Sequence, residues 1–229
     1  MMSVNIEFLR RIEIFAGLPD EELSKVGRLF RERKYKRNDI VFFEEDTGHY
    51  LYFVKEGRVK VSRLLPNGKE MILAFHSEGE YFGEMALIDG GTTPASVTAV
   101  QPTVIYVMGA KEFSRLLENP EVNQIILKTL CGRCRDAWAQ IEVLTFHNAD
   151  ARIRTAFYHM ARQQGVQTGS GVEIPMHLTH KEISDIVGIS RETATRVLSH
   201  LQELNLIKVE TRHFIVNDPE QLVGDLLFE

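Results

Sequence analysis

The stretch THKEISDIVGISRETATRVLSHLQELNLIKVETRHFIV, residues 179–216, decides the fold of the C-terminal part of the chain. Thr179 and Glu182 have the spacing of a capping box, which begins a helix. Gly188 then supplies the left-handed backbone that a tight turn requires. We expect a second helix from about Arg191 to Leu204, followed by a β-hairpin of IKVE and FIV. This order predicts a helix-turn-helix with a β-hairpin wing.

The second helix has two chemically different faces. At 100° per residue, its apolar face consists of Ala194, Val197, Leu198 and Leu201, and its polar face of Arg191, Glu192, Thr195 and Arg196. A helix that reads the major groove of DNA needs this division, because its back packs on the first helix while its N-terminal side chains meet base edges. We therefore predict that Arg191 and Arg196 read guanines and Glu192 a cytosine, with Thr195 on the same DNA-binding face. Thr179 and Ser190 are predicted to hold phosphates together with nearby backbone amides.

The alternative for this stretch is a helical hairpin whose charged face is simply solvated. That interpretation requires the capping box, the glycine turn, the apolar back and the hairpin to coincide by accident. The segment from Thr179 to Glu210 holds four Lys or Arg against five Asp or Glu, and the whole chain has a net charge of −5. Non-specific affinity for nucleic acid is therefore expected to be modest, because it depends on phosphate neutralisation.

Upstream of this motif, one long helix is expected after Pro120. A narrow apolar row lies within an arc of about 80° at 100° per residue, and it consists of Ile126, Leu130, Cys134, Ala137, Ile141 and Leu144. A row this narrow is typical of a contact between two helices. We interpret it as a homodimer seam, with an intrachain contact as the alternative. A further helix, ARIRTAFYHMARQQ, and a loop, GVQTGSG, follow a boundary near Asn148.

The N-terminal half is punctuated by glycines. Short runs between the breaks alternate in polarity or are aromatic, and they read YLYFV, RVKVSRL, MILAFH, ASVTAV and TVIYVM. This pattern predicts a small antiparallel β-barrel or sandwich. A helix is expected before it, in LPDEELSKVGRLFRER at residues 18–33. The predicted fold class is therefore α+β.

Composition excludes several classes of protein. The 229 residues are 44% hydrophobic and 26% charged, as in ordinary soluble proteins. No apolar run approaches the roughly 18 residues of a membrane span, and the charges in MMSVNIEFLRRIEIF argue against a signal peptide. We expect a cytoplasmic protein that does not contact membranes. No P-loop, GxGxxG, GxSxG or HExxH motif occurs, so we expect no enzyme, no catalytic residue and no metal ligand.

A β-barrel, a long helix and a winged helix-turn-helix, in this order, resemble the CRP/FNR family of bacterial transcription regulators. IFAGLPDEEL, YLYFVKEGRVKV, FGEMALIDG and VGISRETATRVL are similar to family signatures. The resemblance implies a cyclic-nucleotide-binding-like jelly roll over residues 1–118, a dimerisation helix over 119–147 and a DNA-binding domain over 148–229. It also implies a homodimer on double-stranded DNA with TGTGA-like palindromic half-sites, and RNA polymerase as a partner.

The resemblance breaks in the effector pocket. Gly83, Glu84 and Met85 fit the phosphate cassette of members that bind cyclic nucleotides, but Thr93 and Pro94 stand where an arginine and its hydroxyl partner belong. Ala137 and Trp138 stand where members that bind cyclic nucleotides have the two residues of the long helix that contact the base of the nucleotide. Losing an arginine contact to phosphate removes a charge-assisted hydrogen bond of ~1.5 to 3 kcal/mol. We therefore expect that cyclic AMP does not control this protein.

The effector is left unknown by the sequence. A haem- or redox-gas-sensing regulator of the same fold and a cyclic-nucleotide-binding signalling module without DNA binding are the alternatives. All eight histidines, including His76 and His180, are expected to face solvent by default. Cys131 and Cys134 are interpreted as small apolar fillers, with thiol sensing or a dimer-spanning metal as alternatives.

Overall fold

A computed structural model of the chain describes residues 4–210 and 213–224. They belong to two compact units: the first is residues up to Leu64 with Ile72–Arg133, and the second is Leu65–Met71 with the residues from Cys134 onward. The division between the two units falls inside the long helix, between Arg133 and Cys134. One reason is that the side chain of Gln140 donates a hydrogen bond to the carbonyl of Ile186. This contact joins the C-terminal half of the long helix to the C-terminal unit.

Among the described residues, eight strands build the N-terminal unit, except that Glu70 and Met71 of β5 belong to the second unit. The strands are β1 (Arg31–Tyr35), β2 (Ile40–Phe42), β3 (Tyr50–Glu56), β4 (Arg58–Leu64), β5 (Glu70–Ser77), β6 (Tyr81–Phe82), β7 (Ser96–Ala99) and β8 (Thr103–Gly109). They form two four-stranded sheets with the orders β1-β8-β3-β6 and β2-β7-β4-β5. β3 pairs antiparallel with β6 and β8, and β7 pairs antiparallel with β2 and β4. The predicted N-terminal antiparallel β-structure is confirmed.

Strand alternation gives the first sheet two apolar faces. Tyr52 and Val54 of β3 lie in a core that also holds Val97 of the other sheet. Leu51 and Phe53 point the opposite way, into a larger core shared with the helices. The first sheet is therefore covered on both faces, and its position relative to the N-terminal helices is fixed by packing.

The helices of this unit are α1 (Ile6–Arg11), a 3₁₀ turn (Glu13–Phe15), α2 (Asp20–Gly27), α3 (Glu84–Asp89) and α4 (Ala110–Leu116). The helix predicted to run to Arg33 is wrong in its second half, because it ends at Gly27. Arg33 instead lies opposite Ile105 in the β1–β8 ladder. A distant strand thus overrides the local helical pattern.

The long helix is α5 (Pro120–Thr145). Asn119 precedes it and accepts a hydrogen bond from the Glu121 amide at 2.9 Å. Ile126 is only 2% exposed in the core of its own chain, and Leu130 packs against that core. Ile126 is therefore covered by its own chain, whereas Leu130 is only partly buried. Neither α5 nor any other helix within residues 4–210 and 213–224 has the apolar length that crossing a bilayer requires.

The C-terminal unit confirms the predicted winged helix-turn-helix. Its elements after α5 are α6 (Ala149–Gln164), β9 (Val166–Thr168), β10 (Gly171–Glu173), α7 (His180–Val187), α8 (Arg191–Glu203), β11 (Ile207–Glu210), β12 (His213–Val216) and α9 (Pro219–Val223). The sheet order is β11-β12-β10-β9. The loop expected at residues 165–171 is wrong, because β9 and β10 pair there. The tip of the wing, Thr211 and Arg212, lies outside the described residues.

Candidate nucleic-acid interface and barrel cavity

The first helix of the helix-turn-helix begins with the predicted capping box. Thr179 Oγ1 accepts from the Glu182 amide at 3.1 Å, and Glu182 Oε2 accepts from the Thr179 amide at 2.8 Å. Glu182 Oε2 also lies 2.9 Å from Thr179 Oγ1. The hydroxyl and amide donors of Thr179, which the sequence assigns to a phosphate, are therefore engaged within the protein in this conformation.

The turn and the start of α8 also follow local rules. Gly188 has a φ of 70°, the left-handed conformation that favours glycine. Ser190 caps α8 by accepting from the Thr193 amide at 3.1 Å. The second helix therefore begins at Arg191, as the sequence predicts.

Apolar packing fixes the orientation of α8. Ala194, Leu198 and Leu201 are fully buried, and Val197 is 9% exposed. α8 packs on α7 and α6. Because this back face is held by the unit's own core, the opposite face of α8 must point outward.

The outward face carries the predicted base-reading residues. Arg191, Glu192, Thr195 and Arg196 are all exposed. Hydrogen bonds from its own backbone amide and from Ser190 lower the pKa of the Glu192 carboxyl. Glu192 is therefore a carboxylate at neutral pH, an acceptor between two guanidinium donors. The structure brings these four predicted residues together on one surface.

The N-terminal unit contains a cavity of about 70 Å³. It brings together the predicted pocket residues Gly83, Glu84, Met85, Thr93 and Pro94. This volume is well below the roughly 300 Å³ at which ligand pockets of proteins begin. A larger groove of about 410 Å³ shares Gly83 and Thr93 with the cavity. It includes Arg33, whose guanidinium lies 4.5 Å from the centroid of the Tyr50 ring.

Glu84 is the most buried charged residue of this cavity, with 1% exposure. Arg133 of α5 donates to Glu84 Oε1 and to the carbonyl of Tyr81. Glu84 Oε2 has no hydrogen-bond partner. The carboxylate therefore has an internal counter-charge and one acceptor oxygen that faces no donor.

Thr93 and Pro94 offer no donor to an anion. The Thr93 hydroxyl donates to the Phe43 carbonyl at 2.6 Å, and the Thr93 amide donates to the Asp46 carbonyl at 2.9 Å. Proline has no backbone N–H. The segment where a phosphate-binding arginine is expected is therefore closed to hydrogen bonding with phosphate.

His76 also lines this cavity, contrary to the expectation that the histidines face solvent. It is 8% exposed and stacks on Phe82 with a ring-centroid distance of 5.5 Å. Burial, together with the nearby Arg133, lowers the pKa of His76 to about 3. The imidazole is neutral at physiological pH and adds no positive charge to the cavity.

Sequence reasoning missed Arg133 and His76. Arg133 lies seven residues after Ile126, at about 340° on the same helical wheel, so a cation on the buried face of α5 was a usable signal. His76 belongs to a strand whose inward positions were not separated from its outward ones. Ala137 and Trp138 are exposed and belong to the C-terminal unit, so their effector role stays a prediction.

The cysteines do not form a metal site within one chain. Cys131 and Cys134 are free and exposed in the single chain, so they do not fill its own core, and their interpretation as small apolar fillers stays a prediction for the helix contact. Across the part of the chain that the structure describes, no group of three or more His, Cys, Asp or Glu side chains is arranged to hold a metal ion.

Comparisons with known proteins match both units. The Cyclic nucleotide-binding domain family matches residues 32–120, and the Crp-like helix-turn-helix domain family matches residues 151–224. The Cyclic AMP receptor protein of Thermus thermophilus is 32% identical over 86% of this chain and 88% of its own length. The cAMP-activated global transcriptional regulator CRP of Haemophilus influenzae is 30% identical over 80% and 82%. A solved CooA mutant from Carboxydothermus hydrogenoformans shares the fold with a TM-score of 0.79, at 24% identity over 93% and 95%.

Proposed function

Because the chain belongs to the CRP/FNR family of transcription regulators, we propose that it reads pseudo-palindromic operators with TGTGA-like half-sites. The protein is a DNA-binding transcription regulator. Its family consists of regulators and not of enzymes. Arg191 and Arg196 pair with guanine O6 and N7, and Glu192 accepts from cytosine N4. A regulator must have access to the DNA that it binds, so we include a cytoplasmic location in the proposal.

One observation carries this proposal: two exposed arginines flank an ionised Glu192 on a helix whose opposite face is buried. Ser190 and nearby amides are assigned to phosphates. Thr179 joins them only by releasing Glu182, since its donors are engaged in the free protein.

The test is binding to duplexes that differ from a TGTGA palindrome at one base pair at a time. Replacing Arg196 with alanine is expected to cost about 1 to 3 kcal/mol of discrimination at one base pair of each half-site. Arg162→Ala is the matched control, because Arg162 is an arginine of α6 with 63% side-chain exposure. Equal weakening on every sequence by Arg196→Ala contradicts base recognition by Arg196.

The proposed operator is symmetric, so the regulator is proposed to be a homodimer. Of the predicted seam, Ile126 is buried in its own chain, Leu130 and Leu144 are half-buried, and Cys134, Ala137 and Ile141 are exposed. Trp138 is 67% and Ile141 60% exposed, although both are large apolar side chains. We assign the seam to this C-terminal stretch of α5. Ile141→Glu is expected to give monomers in sedimentation; an unchanged dimer contradicts the assignment.

RNA polymerase is the proposed further partner.

Control by cyclic AMP is not part of the proposal. The cavity is small, Arg133 is paired with Glu84, and Thr93 and Pro94 offer no donor. Haem, the alternative raised by the sequence, does not fit the cavity of about 70 Å³ that holds His76, but the larger groove of about 410 Å³ holds another histidine, His49. The effector is therefore proposed not to be cyclic AMP, and haem stays the alternative.

The hinge near Asn148 is proposed to transmit regulation to the reading helix. Asn148 caps α6 by accepting from the Ala151 amide at 2.6 Å. Arg152, one turn later, donates to the carbonyls of Phe146 at 2.7 Å and Val187 at 3.2 Å. A change at the hinge therefore reaches the turn before α8. Spin labels at exposed Ser199 are expected to report different spacings in active and inactive dimers; identical spacings contradict this mechanism.

A further inference from the structure

A hydrogen bond joins the two helices of the helix-turn-helix on their exposed side. His180 is the first residue of α7, and its Nδ1 lies 2.9 Å from Oγ1 of Thr195 on α8. We propose that His180 is a positioning residue for base recognition, which fixes the Thr195 hydroxyl and thereby the base preferred beneath it. This inference rests on the proposed function, because it needs α8 to face the major groove.

Thr195 lies in the middle of the reading surface. It is four residues after Arg191 and one before Arg196, and residues four apart on a helix are neighbours on its surface. Its side chain is exposed, whereas Ala194 beside it is fully buried. A base edge that meets both arginines therefore also comes within reach of the Thr195 hydroxyl.

A threonine hydroxyl discriminates between bases only if it is oriented. It has one donor and two acceptor lone pairs, so an unrestrained hydroxyl contacts either kind of base edge. On a helix its χ1 also divides between two rotamers, because Oγ1 can bond to the carbonyl one turn back. The bond to His180 holds the hydroxyl toward α7, and it commits either the donor or one lone pair. If the hydroxyl donates to the imidazole, it can only accept from the base; if it accepts from the imidazole, its proton and its second lone pair are held in fixed directions toward the base.

His180 is itself well placed to hold Thr195. The capping box of Thr179 and Glu182 fixes the backbone on either side of it. Of the charged side chains on α7, Lys181 is paired with Asp185 and Glu182 accepts from Thr179. The hydrogen bond to Thr195 is therefore the contact that holds the imidazole of His180 against α8. The turn already orients α7 and α8, and this hydrogen bond joins them on the surface that is proposed to meet DNA.

The test measures base preference at every position of the operator for His180→Phe, Thr195→Val and the double variant. Each single change is expected to reduce preference at one and the same base pair by roughly fivefold, the value of about one hydrogen bond. The double variant is expected to be no worse than Thr195→Val, because the two residues act as one contact. His180→Gln, which keeps a hydrogen-bonding side chain, is expected to restore part of the preference.

His200→Phe is the matched control, since His200 is an exposed histidine further along α8. Thermal unfolding of each variant shows whether the fold is kept. An equal loss on all sequences by His180→Phe, or an effect that persists when Thr195 is already valine, overturns the inference. If Arg196→Ala changes base preference and His180→Phe does not, this inference fails alone. If Arg196→Ala leaves base preference unchanged, the proposed function fails.

Discussion

The two units of the chain treat their charged residues in opposite ways. In the N-terminal unit, Glu84 is buried and has its counter-charge, Arg133, inside the protein. In the C-terminal unit, Arg191, Glu192 and Arg196 are exposed on the outer face of α8. The C-terminal unit keeps its chemistry available to a partner, whereas the N-terminal unit has closed the part of its cavity where a phosphate is expected.

This difference shows that a fold and its ligand chemistry are separable. The β-sheets of the N-terminal unit are held by apolar residues such as Leu51, Phe53 and Val54, all of which are fully buried. None of these contacts depends on an arginine at position 93 or 94. The family fold is therefore retained although positions 93 and 94 carry threonine and proline and not arginine.

The largest expected effect comes from breaking the internal ion pair of the N-terminal unit. Arg133→Met leaves Glu84 buried without a counter-charge, which is expected to lower the free energy of unfolding by about 3 kcal/mol. Urea denaturation measures it. The double variant Glu84→Gln/Arg133→Met is expected to recover most of the loss, because no unpaired charge remains. Arg162→Met is the control, since that ion pair is exposed. Equal small losses of unfolding free energy in Arg133→Met and Arg162→Met would contradict the contrast between a buried and an exposed ion pair.

The second effect is a pH dependence confined to the N-terminal unit. The pKa of His76 is lowered to about 3 in the folded protein, whereas the unfolded chain protonates near 6.5. The unfolded state thus binds more protons below about pH 6.5, and stability falls as the pH is lowered from there toward 3. The expected loss is about 2 kcal/mol between pH 7 and pH 5.

Calorimetry of His76→Phe checks this dependence, because phenylalanine keeps the stacking on Phe82 but binds no proton. The variant is expected to lose the steep decrease in stability at acidic pH. His49→Phe is the matched control, since His49 is an exposed histidine of the same unit. If wild type and His76→Phe follow the same pH profile, His76 is not buried as a neutral group.

A smaller effect is expected at the start of the reading helix. Ser190→Ala removes the cap of α8, and the loss of such a cap costs about 1 kcal/mol. Thermal unfolding of the C-terminal unit should show it, together with weaker binding to DNA of any sequence. Ser199→Ala, an exposed change on the same helix, is expected to alter neither quantity. A stability loss without weaker DNA binding would separate the cap from the reading function.

The smallest expected effect concerns cyclic AMP. We expect its addition to leave the melting temperature of the protein unchanged. A ligand at 100 times its dissociation constant raises stability by about 2.7 kcal/mol, so a binding-competent protein shows a clear shift in melting temperature. The Cyclic AMP receptor protein of Thermus thermophilus serves as the positive control. A comparable shift in this chain would mean that the pairing of Glu84 with Arg133 does not prevent nucleotide binding.

The helix-turn-helix was predictable because its signals are local. The capping box at Thr179, the glycine turn at Gly188 and the apolar back of α8 each depend on residues a few positions apart. β1 was missed because its partner β8 lies elsewhere in the chain. β9 and β10 pair locally with each other, but β10 also pairs with the distant β12. Local pattern carries no record of such pairing.

The dimer seam shows a second limit of sequence periodicity. An apolar row on a helix predicts that something covers it, but it does not distinguish the chain's own core from a second copy. Ile126 proved to belong to the chain's own core, whereas Ile141 is exposed. Arg133 was hidden for a related reason: its partner Glu84 is 49 residues away. The helical wheel places Arg133 on the buried face of α5, but only the packing of the structure identifies its partner and separates Ile126 from Ile141.

The most direct test of the central claim is selection of operators from a pool of random duplex DNA. The wild-type protein is expected to enrich a two-fold symmetric site. A variant with alanine at positions 191, 192 and 196 is expected to stay folded, because all three side chains are exposed, and to enrich no site. Enrichment of the same site by this variant, at undiminished strength, would show that these three side chains do not read DNA.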